Sequence, residues 1–159
     1  MTMDQVTTKF HQTDEYSIIN ENELYNSGML SRSPSLCVLL VEDDEADAYL
    51  IKYALDSNAR VGEVIHATDG VEALELIESG AASPDLAIVD LHMPRKNGFS
   101  LLSDFAAMDR VQFPSVVLTS SRSGADALRS RKRGADVFMT KPNTLAKLTY
   151  ALDNIISNI

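Results

Sequence analysis

The sequence predicts an α/β domain built on a doubly wound parallel sheet. Two observations carry this. Five short apolar runs alternate with five helical patterns between Leu36 and Ile156, as strands joined by crossover helices do. The first run, Leu36-Cys37-Val38-Leu39-Leu40-Val41, is apolar without alternation, as a strand covered on both faces must be. Right-handed crossovers then place helices on both faces of the sheet.

The elements follow in order. After strand one, Ala46, Tyr49, Leu50, Tyr53 and Ala54 recur at spacings of three and four and mark a helix. Val64-Ile65-His66-Ala67 is a second strand. Val71, Ala73, Leu74 and Ile77 mark a second helix, stopped by Gly80. Leu86-Ala87-Ile88-Val89 is the third strand, and Phe99, Leu102, Phe105 and Ala106 the third helix. Val116-Val117-Leu118, entered from Pro114, is the fourth strand. Residues 124–133 form a polar fourth helix ending at Gly134, and Val137-Phe138-Met139 is the fifth strand. Leu145, Leu148, Leu152, Ile155 and Ile156 are the apolar stripe of a last helix.

Composition narrows the class. The 159 residues are 45% hydrophobic and 23% charged, ordinary for a soluble globular chain. One cysteine, Cys37, rules out a disulfide framework and a multi-cysteine zinc site, and fits a reducing cytoplasm. A net charge of −9 disfavours nucleic acid and anionic lipid as partners. No apolar run approaches the roughly 18 residues of a membrane span, and Met1–Phe10 lacks a signal-peptide pattern. The chain divides near Ser35. Residues 1–35 carry five acids and two bases, finish in Ser31-Arg32-Ser33-Pro34-Ser35, and are expected to form a flexible extension with one short helix near Glu21–Leu30. Residues 36–159 hold almost all the apolar runs.

In a doubly wound sheet, chemistry gathers at the carboxyl ends of the strands. Strand one ends in Glu42-Asp43-Asp44-Glu45. Asp44 and Glu45 suit helix capping and the helix dipole, whereas Glu42 and Asp43 lie closest to the sheet. Strand three ends in Asp90, which Leu91–Gly98 separates from the next helix, so capping does not explain it. Side by side, Glu42, Asp43 and Asp90 repel unless a cation or proton intervenes, and hard oxygen ligands favour Mg²⁺. Strand four ends in Thr119, followed by Ser120 and Ser121; strand five ends in Thr140-Lys141-Pro142. A metal-binding acid cluster, a hydroxyl and an ammonium make a phosphoryl site. No GxxxxGK[ST] or GxGxxG cradle is present, so the natural phosphoryl acceptor is a carboxylate of the protein, Asp90.

Residues 36–157 resemble a response-regulator receiver domain of two-component signalling. The resemblance rests on Val41-Glu42-Asp43, Ala67-Thr68-Asp69-Gly70 with Glu72-Ala73-Leu74, Pro84-Asp85, Asp90-Leu91-His92-Met93-Pro94 with Gly98, Thr119, Gly134-Ala135-Asp136 and Lys141-Pro142, all in order. It implies a flavodoxin-like sheet of order 2-1-3-4-5. It also implies that Asp90 accepts a phosphoryl group from a sensor histidine kinase or a histidine phosphotransfer protein. Asp43 would bind Mg²⁺ directly, Glu42 mainly through water, and His92 by its backbone carbonyl. Thr119 and Lys141 would hold the phosphoryl oxygens. Phe138 matches the aromatic switch position, though a plain core aromatic fits it equally well. Glu42 stands where the family often has Asp. His92, Ser120 and Ser121 occupy or flank positions that tune dephosphorylation in the family, and Lys141-Pro142 matches a bond that is usually cis there. Glu42-Asp43, Asp47 and Leu50-Ile51-Lys52 further resemble single-domain regulators that serve phytochrome-type kinases.

The end of the chain at Ile159 leaves no room for an output domain and implies a stand-alone receiver. Its output would be contact with a downstream protein or a second copy, or onward relay. Arg129, Arg131, Lys132 and Arg133 are expected to form a solvated face rather than a nucleic-acid patch. Two other readings compete. An aspartyl-phosphate phosphatase of the haloacid-dehalogenase type uses the same residue types, but its nucleophile ends strand one and a cap selects substrate. A non-phosphorylated scaffold would have lost a site residue, and none is lost here.

Overall fold

A computed structural model describes residues 35–109 and 111–159. The expected extension, apart from Ser35, and the helix near Glu21–Leu30 lie outside the described residues. Five strands and five helices alternate: β1 (Leu36–Val41), α1 (Glu45–Asp56), β2 (Val61–Ala67), α2 (Gly70–Glu78), β3 (Leu86–Val89), α3 (Gly98–Ala107), β4 (Ser115–Thr119), α4 (Gly124–Lys132), β5 (Val137–Thr140) and α5 (Leu145–Ser157). The strands form one parallel sheet of order β2-β1-β3-β4-β5. Order therefore reverses between β1 and β3, and the carboxyl ends of those two strands face the same crevice.

Burial explains which strands the sequence showed clearly. β3 and β4 are buried throughout, as are the last four residues of β1, so they read as unbroken apolar runs. β2 is an edge strand and half exposed. It begins at Val61, three residues before the apolar run, because Val61 and Glu63 pair with Leu36 and Cys37 of β1, with Gly62 bulged between them and Gly62 and Glu63 facing solvent. One face of the sheet packs Leu40, Ile88 and Leu118 against Ile51 and Leu55 of α1 and Leu152 and Ile156 of α5. The other packs Leu39, Val41 and Val89 against Ala73 of α2 and Leu101 and Phe105 of α3. Each fully buried Leu or Ile contributes roughly 1.5–3 kcal/mol.

The helix expected after strand one is present, but its buried face differs from the expected stripe. Ala48, Ile51, Ala54 and Leu55 face the core, while Tyr49 is 68% and Tyr53 57% exposed. Two apolar stripes run side by side on α1, and periodicity alone cannot choose between them. Only the fit of compact aliphatic side chains under β1 and beside α5 does so. α4 buries only Ser130, which bonds back to the carbonyl of Asp126.

All five helices start with a side-chain cap: Asp44, Asp69, Asn97, Ser123 and Thr144 accept from N–H groups of the first turn. Each cap is worth about 1 kcal/mol. Because the sheet is parallel, all five helix N-termini collect at the edge that carries the acids, where their positive dipole ends favour negative charge. α2 and α4 close at Gly80 and Gly134, both at positive φ (76° and 100°), as their positions in the sequence require.

Gly98 sets the distance between α3 and the loop after β3. Its N–H donates to Leu91 O at 3.1 Å, and a Cβ there would lie 2.2 Å from the carbonyl oxygen of Asp90 and 2.9 Å from Cα of Leu91. Both are backbone atoms and cannot turn aside. Gly98→Ala is therefore expected to destabilise the domain by about 1–3 kcal/mol in denaturant unfolding; an unchanged midpoint would show that the loop can yield.

Candidate functional site

The strand ends bring Glu42, Asp43 and Asp90 together. Glu42 follows β1 and is 1% exposed; its N–H donates to Ala67 O at 3.0 Å. Asp43, the next residue, is exposed. Asp90 follows β3, is buried, and donates its N–H to Val41 O at 3.0 Å, so the end of β3 is clipped to the strand bearing the acid pair. One carboxylate oxygen from each of the three residues lies within 4.8 Å of the others. Three hard oxygen donors with no imidazole or thiolate suit a small divalent cation.

Lys141, just past β5, projects into this cluster with its side chain 15% exposed. Its Nζ stands 2.7 Å from Oε2 of Glu42, 2.6 Å from Oδ2 of Asp47 and 3.9 Å from Oδ1 of Asp90. Burial alone would lower the lysine pKa, but the carboxylates of Asp47, Glu42 and Asp90 outweigh it and raise the value, so the ammonium stays charged. Burial pushes the Glu42 carboxyl above the ordinary range, and Lys141 and the Asp44 N–H offset this only in part. Oε2 of Glu42 is buried and, despite its proximity to Lys141, makes no well-angled hydrogen bond. A buried, poorly satisfied carboxylate oxygen beside two further acids is an arrangement that a bound cation relieves.

Thr119, at the end of β4, is fully buried; its hydroxyl accepts from the Ser121 N–H at 3.3 Å, and its carbonyl from the Lys141 N–H at 2.7 Å. The β4 and β5 site residues are thus tied together through the backbone. The Lys141–Pro142 bond is trans, as are all peptide bonds among the described residues. Phe138 is half buried against Leu91, Phe99, Leu102, Val117 and Ala135. It is thereby in the same cluster as Leu91, the neighbour of Asp90.

The His92 N–H donates to Oδ2 of Asp90 at 3.3 Å, while its ring is exposed, 3.9 Å from Asp126 and edge-on to Phe99. The ring points away from the acid cluster, so only the backbone of His92 faces it. Ser121 donates its hydroxyl to Asp126 at 2.6 Å and is committed to the turn before α4. The basic face of α4 is less uniform than expected. Arg131 and Lys132 are exposed, but Arg129 lies 4.0 Å over the Phe99 ring and Arg133 donates to Ser103 and the Phe99 carbonyl of α3.

Two features of the site escaped sequence reasoning. Asp47 reads locally as a first-turn acid of α1, and its bond to Lys141 spans 94 residues. Arg95 holds φ at 58°, a conformation that is costly for a residue with a Cβ. Its guanidinium pairs with Asp69, the buried cap of α2. Burial alone would raise the Asp69 pKa, but the Glu72 and Val71 N–H groups and Arg95 hold it below the usual range.

A family model for the response regulator receiver domain matches residues 38–153. The chain is a member of the receiver-domain family. Receivers are signalling phosphoacceptor domains of two-component systems, and neither the phosphatase nor the scaffold reading is favoured. The response regulator Rcp1 of Synechocystis is 29% identical over 131 residues, spanning 79% of this chain and 89% of that protein. The sensor histidine kinase CheAY of Helicobacter pylori is 29% identical over 142 residues, 88% of this chain but 17% of the kinase. Among solved structures, the phosphorylated cyanobacterial phytochrome response regulator RcpA superposes with a TM-score of 0.71 at 30% identity, covering 76% of this receiver and 91% of RcpA. The Mn²⁺-bound form of Rcp1 gives 0.69 at 27% identity, with 77% and 92% covered. Among the described residues, no helix is long and apolar enough to cross a membrane.

The raised pKa of Glu42 has a definite sign for stability. A carboxyl that binds its proton more tightly folded than unfolded favours the native state as pH falls toward the unfolded value, and costs stability above the folded one. Without divalent metal, Glu42→Gln is expected to be more stable than the parent at pH 7, by about 1 kcal/mol. The advantage should shrink as pH falls through the raised value toward the ordinary carboxyl range. A gain that grows on acidification would contradict the burial argument.

Proposed function

We propose that Asp90 is the phosphoacceptor and that the donor is a phosphohistidine on a sensor histidine kinase or a histidine phosphotransfer protein. The observation that carries this is the convergence of Glu42, Asp43 and Asp90 with the Lys141 ammonium 3.9 Å from the Asp90 carboxylate. An oxygen of Asp90 forms a bond to phosphorus as the phosphorus–nitrogen bond breaks, and the electron pair returns to the donor imidazole. Asp43, Glu42, Asp90 and the backbone carbonyl of His92 would hold Mg²⁺. When bound, the ion neutralises charge on the transferring oxygens. Lys141 supplies the second positive charge, and the Thr119 hydroxyl donates to a phosphoryl oxygen. The domain turns over no external substrate; its only catalysis is on its own acyl phosphate. It works in the cytoplasm, and the likeness to RcpA, a phytochrome response regulator, favours a phytochrome-type kinase as input.

Incubation with labelled acetyl phosphate, and with a panel of histidine kinases, tests this. The expected result is Mg²⁺-dependent, hydroxylamine-labile incorporation approaching one phosphate per chain. Asp90→Asn should abolish it with the circular dichroism unchanged. Full labelling of Asp90→Ala, or steady turnover of a phosphate ester, would overturn the assignment.

Output follows from the same geometry. Drawing Thr119 toward the phosphoryl group frees space beside β5 that Phe138 fills, and the repacking reaches the face formed by α4, β5 and α5. A downstream protein or a second copy of the chain docks there. Two packings separated by a few kcal/mol suffice for such a switch. Hydrogen exchange with and without beryllofluoride should show altered protection in α4 and β5; changes confined to α1 and α2 would exclude this route.

A further inference from the structure

Asp47 has no part in the phosphoryl chemistry above, yet it makes the shortest contact to Lys141. It lies in the first turn of α1, where its N–H donates to the Asp44 cap at 2.8 Å. Its Oδ2 accepts from Nζ of Lys141 at 2.6 Å. Glu42 takes a second place beside the ammonium at 2.7 Å, and Asp90, at 3.9 Å, is beyond hydrogen-bond range. The rim acid and the buried acid therefore hold the lysine, and the acceptor does not. A lysine head on a flexible four-carbon stem has three donors and can change partners. Asp47 is anchored in a capped helix turn and cannot follow it.

We propose that Asp47 is a positioning residue that holds the Lys141 ammonium off Asp90 in the unphosphorylated protein and competes for it with the phosphoryl group. This rests on the reading of Asp90 as phosphoacceptor. A phosphoryl group adds about 1.5–2 negative charges and three strong acceptor oxygens, enough to draw Lys141 away. The Asp47 side chain is 37% exposed and regains water on release. Asp47 thus taxes the phosphorylated state by one partly exposed ion pair without blocking it, and it acts only through Lys141.

Beryllofluoride binding to the full chain in saturating Mg²⁺, followed by calorimetry or fluorine NMR, tests the proposal. Asp47→Ala removes the competitor and is expected to tighten binding about two- to fivefold, the scale of one such pair. Asp47→Asn keeps a neutral acceptor and should give a smaller gain in the same direction. Glu45→Gln removes an equal charge from the same turn without a contact to Lys141, and is expected to change affinity by less than about twofold. Unchanged or weaker binding in Asp47→Ala would overturn the proposal, as would an equal gain in Glu45→Gln, which would point to charge in general. Failure of the parent chain to bind beryllofluoride, or undiminished binding by Asp90→Asn, would instead overturn the phosphoacceptor reading.

Discussion

The Lys141 ammonium is the interaction on which the site depends. Parallel strands β1 and β3 deliver Glu42, Asp43 and Asp90 to one crevice, and without a cation such a cluster would take up protons rather than stay charged. Among the described residues, Lys141 is the one basic side chain paired with Glu42, Asp47 and Asp90 together. Its contribution is partial, since the Glu42 carboxyl still lies above its ordinary range and Oε2 lacks a good hydrogen bond. The edge of the sheet is therefore left electrostatically unfinished, in a form that a divalent cation would complete.

The loop after β3 supplies the opposite quality, rigidity. Gly98 brings the start of α3 against the backbone of Asp90 and Leu91. Gly70 lets α2 approach Lys96, whose carbonyl accepts the Gly70 N–H at 3.1 Å. Arg95 takes a strained backbone conformation and is held there by the buried cap Asp69, while Lys96 pairs with Asp104 of α3. The acceptor is thus presented on a loop tied to two helices. Fixed placement of Asp90 against its neighbours is what an in-line phosphoryl transfer needs, since positioning supplies most of its catalysis.

A path from this site to the surface is short. Phe138 packs against a cluster that includes Leu91, the neighbour of Asp90, and Val117 of β4. Phe99 in the same cluster meets the His92 ring on one side and the Arg129 guanidinium on the other. The basic residues of α4 are therefore coupled to the aromatic core through Arg129 and Arg133, and are not a purely solvated face.

Sequence alone determined the layered α/β fold and the residues at the strand ends, because both are local. Buried central strands need unbroken apolar runs, and a parallel sheet puts every strand end, and so Glu42, Asp43, Asp90, Thr119 and Lys141, on one edge. It determined the presence of α1 but not its inward face, since two apolar stripes fit the same period and only packing under β1 and α5 chose Ile51 and Leu55 over Tyr49 and Tyr53. It missed the early start of β2, because an edge strand carries polar residues on its open side. Tertiary structure alone decided who holds Lys141. Asp47 and Lys141 are 94 residues apart, and nothing in either neighbourhood records the other. An ion pair of that kind depends on distances set by the whole sheet, whereas a helix or a buried strand is written in the few residues that form it.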